Sequence, residues 1–125
     1  MNAQTYSRVI TEWCEATGMQ PWAADADMHI DIESTTVGLL YDETVSPNAL
    51  HIYIDLGHME LPDLHRRLLE LNMSLDSPHS GCFALHPEAG SLVFRAAIEL
   101  SDDTDGATLP QHIADMIAAA RAPLH

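Results

Sequence analysis

The chain has 125 residues, 46% of them apolar, with nineteen Asp and Glu, five Arg, no Lys and a net charge of −14. A chain this long buries roughly two thirds of its unfolded surface on folding, so residues 1–125 are expected to form a single domain without help from metals or cross-links. Nucleic acid and anionic membrane surfaces are both attracted by clustered cations, and five arginines in so acidic a field argue against either as a partner.

The opening "MNAQTYSRVITEWCEATG" has no basic region followed by an apolar run, so no signal peptide is expected. No stretch approaches the roughly 18 apolar residues of a membrane span. Cys14 and Cys82 form neither a CxxC nor a zinc spacing and are expected as free thiols in a reducing cytosol.

Tyr6, Val9, Ile10, Trp13 and Cys14 recur at helical spacing, which predicts a helix from about Thr5 to Thr17 stopped at Gly18. After the connector "MQPWAADAD", Met28, Ile30 and Ile32 alternate with Asp27, His29, Asp31 and Glu33, the period of a strand with one wet face. "TVGLLYDE" and "ALHIYIDL" read as two more strands separated by "VSPN", and such short connections imply an antiparallel meander.

"ELPDLHRRLLELNMSL", residues 60–75, follows as a second helix with Pro62 in its first turn. "CFALHP" and "SLVFRAAIEL" read as a hairpin around "EAG". Beyond the acidic "SDDTDGA", Thr108 and Gln111 have capping-box spacing at the start of a last helix, whose apolar stripe is Leu109, Ile113, Met116, Ile117 and Ala120. The expected fold is α+β in the order α-βββ-α-ββ-α, a twisted antiparallel sheet packed by helices.

The second helix holds more leucine than one buried stripe needs. Leu61, Leu64, Leu68, Leu71 and Leu75 make a seam at intervals of three and four, while Leu69 and Met73 widen the apolar surface beyond it. Either the helix is simply deep in its own core or it packs on its sheet and also on a second copy. Arg66 and Arg67 are expected to pair with carboxylates. Trp13 lies on the apolar face of the first helix, and Trp22 sits in a loop where indole suits either a core or an interface.

No GxGxxG, P-loop, GxSxG or HExxH occurs. The nearest candidate for chemistry is a strand face bearing Asp27, His29 and Asp31 beside His51 and Asp55, donors that zinc or manganese would accept. A solvated sheet face has the same pattern. The eight histidines are scattered, and none is assigned a catalytic role.

At this point the sequence resembles class I type III secretion chaperones of the Tir-chaperone (CesT-like) family. The resemblance is carried by "VITEWCEATGM", "LHIYIDLG", "LPDLHRRLLELNMSL" and "GCFALHPEAGSLVFRAAIEL" with the final helix, nearly the whole chain. Leu69, Leu71 and Asn72 match the family's leucine-rich helix ending, and Gly81, Leu85, Gly90 and Val93 match its small-residue hairpin. Where the family's leading helix ends in Leu-Gly, this chain has Thr17-Gly18, and its terminal helix is short and alanine-rich.

The resemblance implies a cytoplasmic bacterial homodimer that binds the N-terminal region of a secreted effector and keeps it non-globular for export, without metal, ATP or turnover. It implies Leu64, Leu68 and Leu71 at the dimer interface, and Val9, Trp13, Met28, Ile30 and Leu39 in effector-binding grooves. Two alternatives stay open. One is a small metal-binding or acid–base protein using the His/Asp face, and the other is an interaction module of the same fold unrelated to secretion.

Overall fold

Apolar residues at every second position build the sheet. β1 (Met28–Ile32), β2 (Thr35–Leu40), β3 (Ala49–Gly57), β4 (Cys82–Leu85) and β5 (Leu92–Glu99) pair antiparallel in the order β1-β2-β3-β5-β4. The structure is a computed structural model that describes residues 2–19, 28–42, 44, 48–58, 62–73 and 81–124. Trp22, Asp27, Leu61 and Leu75 lie outside the described residues.

The meander β1-β2-β3 and the hairpin β4-β5 are as expected, and β5 joins the two by pairing with β3. Glu33 and Ser34, at φ 51° and 63°, turn β1 into β2. Two consecutive left-handed residues match the right-handed twist of the flanking strands, as in a type I′ hairpin.

α1 (Asn2–Thr17), α2 (Leu64–Met73) and α3 (Leu109–Arg121) contribute apolar side chains to one core cluster with the sheet. Tyr6, Val9, Ile10 and Trp13 of α1 meet Val37, Leu39, Leu50, Ile52 and Phe94 of the sheet, and Ile113, Met116 and Ile117 of α3 complete the layer. On the opposite sheet face His29, Asp31, Thr36, Asp55 and Arg95 are exposed.

The start of α2 and the capping of α3 differ from the sequence reading, each for a local reason. α2 begins at Leu64, because Asp63 takes a left-handed φ of 61° and Pro62 lies in the turn before it. The Arg67 N–H then donates to the Asp63 carbonyl at 3.0 Å, opening the helical ladder.

The capping box expected at α3 does not form. Thr108 closes a 3-10 turn over Gly106–Thr108 with helical backbone angles, so its hydroxyl donates backwards to the Asp105 carbonyl at 2.8 Å. Gln111 turns to Asp115 instead, and Asp105 caps the turn by accepting from the Ala107 N–H at 3.0 Å.

Arg8 fastens the acidic loop to α1. It pairs with Glu12 at 2.7 Å and donates to the carbonyls of Thr104, Ser101 and Asp102. Glu12 also accepts from the Gly106 N–H at 3.1 Å, where the backbone of Gly106 lies against the Val9 carbonyl. Arg8 thus meets the loop through its backbone carbonyls, and of the loop's carboxylates that of Asp105 takes a backbone donor.

Candidate functional site

α2 presents two different faces. Leu64 and Leu68 are buried in the subunit's own core, and Leu71 is half-buried against it. The surplus predicted for this helix is real and sits at the two residues read as widening its apolar surface, Leu69 at 64% exposed and Met73 at 86%, not at the leucines implied for the dimer interface. Leu64 and Leu68 therefore depart from the interface role expected of them, since side chains already packed internally have no area to give a second copy.

Leu85, on the neighbouring β4, is 52% exposed and extends the same patch. Between helix and strand lies a cleft of about 200 Å³ lined by His65, Leu68, Leu69, Phe83, Leu85 and Leu92. Arg66 pairs with Glu70 at 3.1 Å on the exposed flank, the local carboxylate expected of it. Leu69 and Met73 are four apart on one helix face, and that spacing was the signal for them in the sequence.

A second cleft, of about 350 Å³, opens at the other end of the sheet. Trp13 and Thr17 from the end of α1, Ile30 and Ile32 from β1, Met19, and Pro110 from the first turn of α3 line it. Trp13 is itself buried, so it forms the floor, while Ile30, Ile32 and Met19 are half-buried and offer the accessible apolar surface.

β1 is an edge strand, and no described strand lies beyond it. In a two-residue hairpin the flanking residues, here Ile32 and Thr35, exchange both backbone hydrogen bonds. Alternation then turns the backbone N–H and C=O of His29 and Asp31 outward, beside this cleft.

The five expected groove residues thus separate. Trp13 and Ile30 share the β1 cleft. Met28 and Leu39 border a depression of about 370 Å³ that also touches His29, Tyr53, His86 and Val93. Val9 is fully buried, its carbonyl against the 3-10 turn, and borders neither opening. Met19, Ile32 and Pro110 were missed. Ile32 continues the alternation of Met28 and Ile30, whereas nothing local marks Met19 or Pro110.

Among the described residues, the His/Asp face does not gather into a metal site. His29 stands opposite Gly38, and His51 opposite Leu40 two positions further along. The Asp31 carboxylate accepts from the Thr36 hydroxyl at 3.2 Å and that of Asp55 from the Gly57 N–H at 2.9 Å. Among the described residues no group of three or more His, Cys, Asp or Glu could hold a metal ion. His51 Nε2 is buried without a hydrogen-bond partner among the described residues. Burial also raises the pKa of the Cys14 thiol.

One open sheet edge beside an apolar cleft, and a second apolar patch on α2 and β4, point to the class of small α+β modules that bind polypeptide. The chain belongs to the Tir chaperone protein (CesT) family, whose model matches residues 8–123.

Solved structures share the fold. The ExsC–ExsE complex aligns with a TM-score of 0.70 at 14% identity, covering 94% of this chain and 86% of that one. The HopA1–SchA chaperone–effector complex aligns at 0.71 and 18% identity, covering 95% and 92%. The Yersinia pestis type III secretion chaperone SycH, in complex with a stable fragment of YscM2, aligns at 0.68 and 16% identity, covering 92% and 96%. No curated protein sequence matches the chain.

Proposed function

We propose that the protein is a cytoplasmic bacterial type III secretion chaperone, a single domain over residues 1–125, that binds the N-terminal region of a secreted effector and keeps it non-globular and export-competent. The observation that carries this reading is the pairing of an open β1 edge with the apolar cleft of Ile30, Ile32 and Met19, inside a chain of the CesT family. An extended segment added along β1 takes backbone hydrogen bonds from His29 and Asp31 and directs alternate apolar side chains into the cleft. Burying that surface offsets the cost of ordering the segment, so binding needs no ATP, metal or catalytic turnover.

The same reading makes the protein a homodimer through α2 and β4. Leu69, Met73 and Leu85 supply the accessible apolar area, with Leu71 at the margin and Leu64 and Leu68 holding the helix from beneath. Supporting the effector-binding part of the reading are the structures sharing this fold, two of which are a chaperone–effector complex and a secretion chaperone bound to a protein fragment.

Coexpression with the adjacent open reading frame, followed by purification and native mass measurement, tests the proposal. The expected product is a two-to-one assembly in which the partner's N-terminal region resists protease only when bound. A monomeric chain that leaves every such neighbour unprotected would count decisively against it.

A further inference from the structure

The two edges of the sheet are not equivalent. The His86 N–H donates to the Ser91 carbonyl at 2.8 Å, and the next pairs in register are Leu85 with Leu92 and Phe83 with Phe94. Alternation along an antiparallel pair therefore turns the backbone groups of Phe83 and Leu85 away from β5, toward whatever lies beyond the edge.

At Phe83 that position is taken. Asn72 Nδ2 donates to the Phe83 carbonyl at 2.9 Å, and the Phe83 N–H donates to Asn72 Oδ1 at 2.7 Å. One carboxamide from the end of α2 makes the donor and acceptor pair that a residue of an added strand would make. Without it, β4 would offer unpaired backbone beside an apolar cleft and the exposed Leu85, the combination that invites pairing with another chain.

We infer that Asn72 is an edge-blocking residue, whose hydrogen bonds to Phe83 keep β4 from accepting a strand of another chain, a second copy of this one included. Strand addition is thereby confined to β1. The identity of the segment arriving there rests on the proposed function, whereas the closure of β4 does not. A second copy then approaches α2 through side chains, and the two sheets do not merge edge to edge.

Amide hydrogen exchange on the unaltered full-length chain gives the first test. The Phe83 amide should exchange on the order of tenfold or more slowly than that of Leu85, which points outward with no described strand beyond it. Equal rates at the two positions would overturn the inference, and this measurement does not depend on any variant folding.

The second test is sedimentation velocity of Asn72→Ala over a range of concentrations, with circular dichroism to verify folding. Larger species should appear as concentration rises, accompanied by slowing of the Leu85 amide. Adding Leu85→Pro should remove them and adding Leu85→Ala should not, since both lose the leucine side chain but only proline deletes the outward donor. A folded Asn72→Ala that keeps the parent's size throughout, or larger species indifferent to Leu85→Pro, would show that Asn72 merely fastens α2. None of these readings requires an effector, so failure of the secretion reading leaves them unchanged.

Discussion

Leu68 and Leu69 are consecutive in α2, yet the first is 2% exposed and the second 64%. A helix turns about 100° per residue, so neighbours in sequence can face the core and the solvent. Leu68 lies over Phe83 and Leu92 in the cleft between α2 and the sheet, and Leu69 stands at its rim.

This contrast separates folding from assembly. Leu68→Ala should cost about 2–5 kcal/mol of subunit stability through lost packing and the cavity left behind. Leu69→Asp should cost the isolated subunit about 0.5 kcal/mol or less, as exposed positions do, while shifting the proposed dimer toward monomer. Urea unfolding at several protein concentrations, read beside sedimentation, distinguishes the two effects.

The β1 cleft makes a prediction about binding. Ile30 and Ile32 are half-buried, so Ile30→Asp or Ile32→Asp places a charge where a bound segment's apolar side chains would rest. Affinity for the copurifying partner should fall on the order of tenfold or more, the size of a truncated interface anchor. The far-ultraviolet circular dichroism spectrum should change little. Unchanged affinity by isothermal titration would remove this cleft from the binding surface.

Gly106 should resist substitution. A Cβ there would overlap the Val9 carbonyl and press on Glu12, at the point where the acidic loop is fastened to α1. Gly106→Ala is expected to lower stability by about 1–3 kcal/mol or more, in the manner of overpacked cores. Gly18→Ala, with nothing near the added carbon, is strained only through its φ of 74° and should cost less. Thermal melts of the two variants under one buffer compare them directly.

The two thiols should react on different timescales. Cys14 is buried and its pKa is raised by that burial, whereas Cys82 is half-buried on β4. A thiol-specific chromogenic reagent at mildly alkaline pH should show one fast and one slow equivalent, the fast one abolished by Cys82→Ser. Because the folded state holds the Cys14 proton more tightly than the unfolded one, the unfolded chain ionises first. Stability should therefore fall as pH climbs past the ordinary thiol range, and Cys14→Ala should flatten that slope.

Element order was legible because it depends on local periodicity. Alternation in "MHIDI" and "ALHIYIDL", and three-to-four spacing in "YSRVITEWC", require no knowledge of the rest of the chain. Boundaries failed where one residue's backbone overrode the pattern, as Asp63 does at the start of α2. The Thr108–Gln111 pair misled because its spacing is equally compatible with a preceding 3-10 turn, which redirects the hydroxyl.

By itself, then, the amino-acid order determined the sheet-and-helix succession, the acidic character, and the excess of leucine on the second helix. Only the tertiary structure decided which leucines of the seam the subunit keeps for its own core. A hydrophobic stripe specifies a face but not the rotation of the helix about its axis. Packing over Phe83 and the paired Asn72 hydrogen bonds fix that rotation, leaving Leu69 and Met73 outside. Strand order was likewise decided at long range, by β5 entering between β3 and β4. That insertion leaves β1 and β4 as the two edges, and side chains distant in sequence then leave one open and close the other.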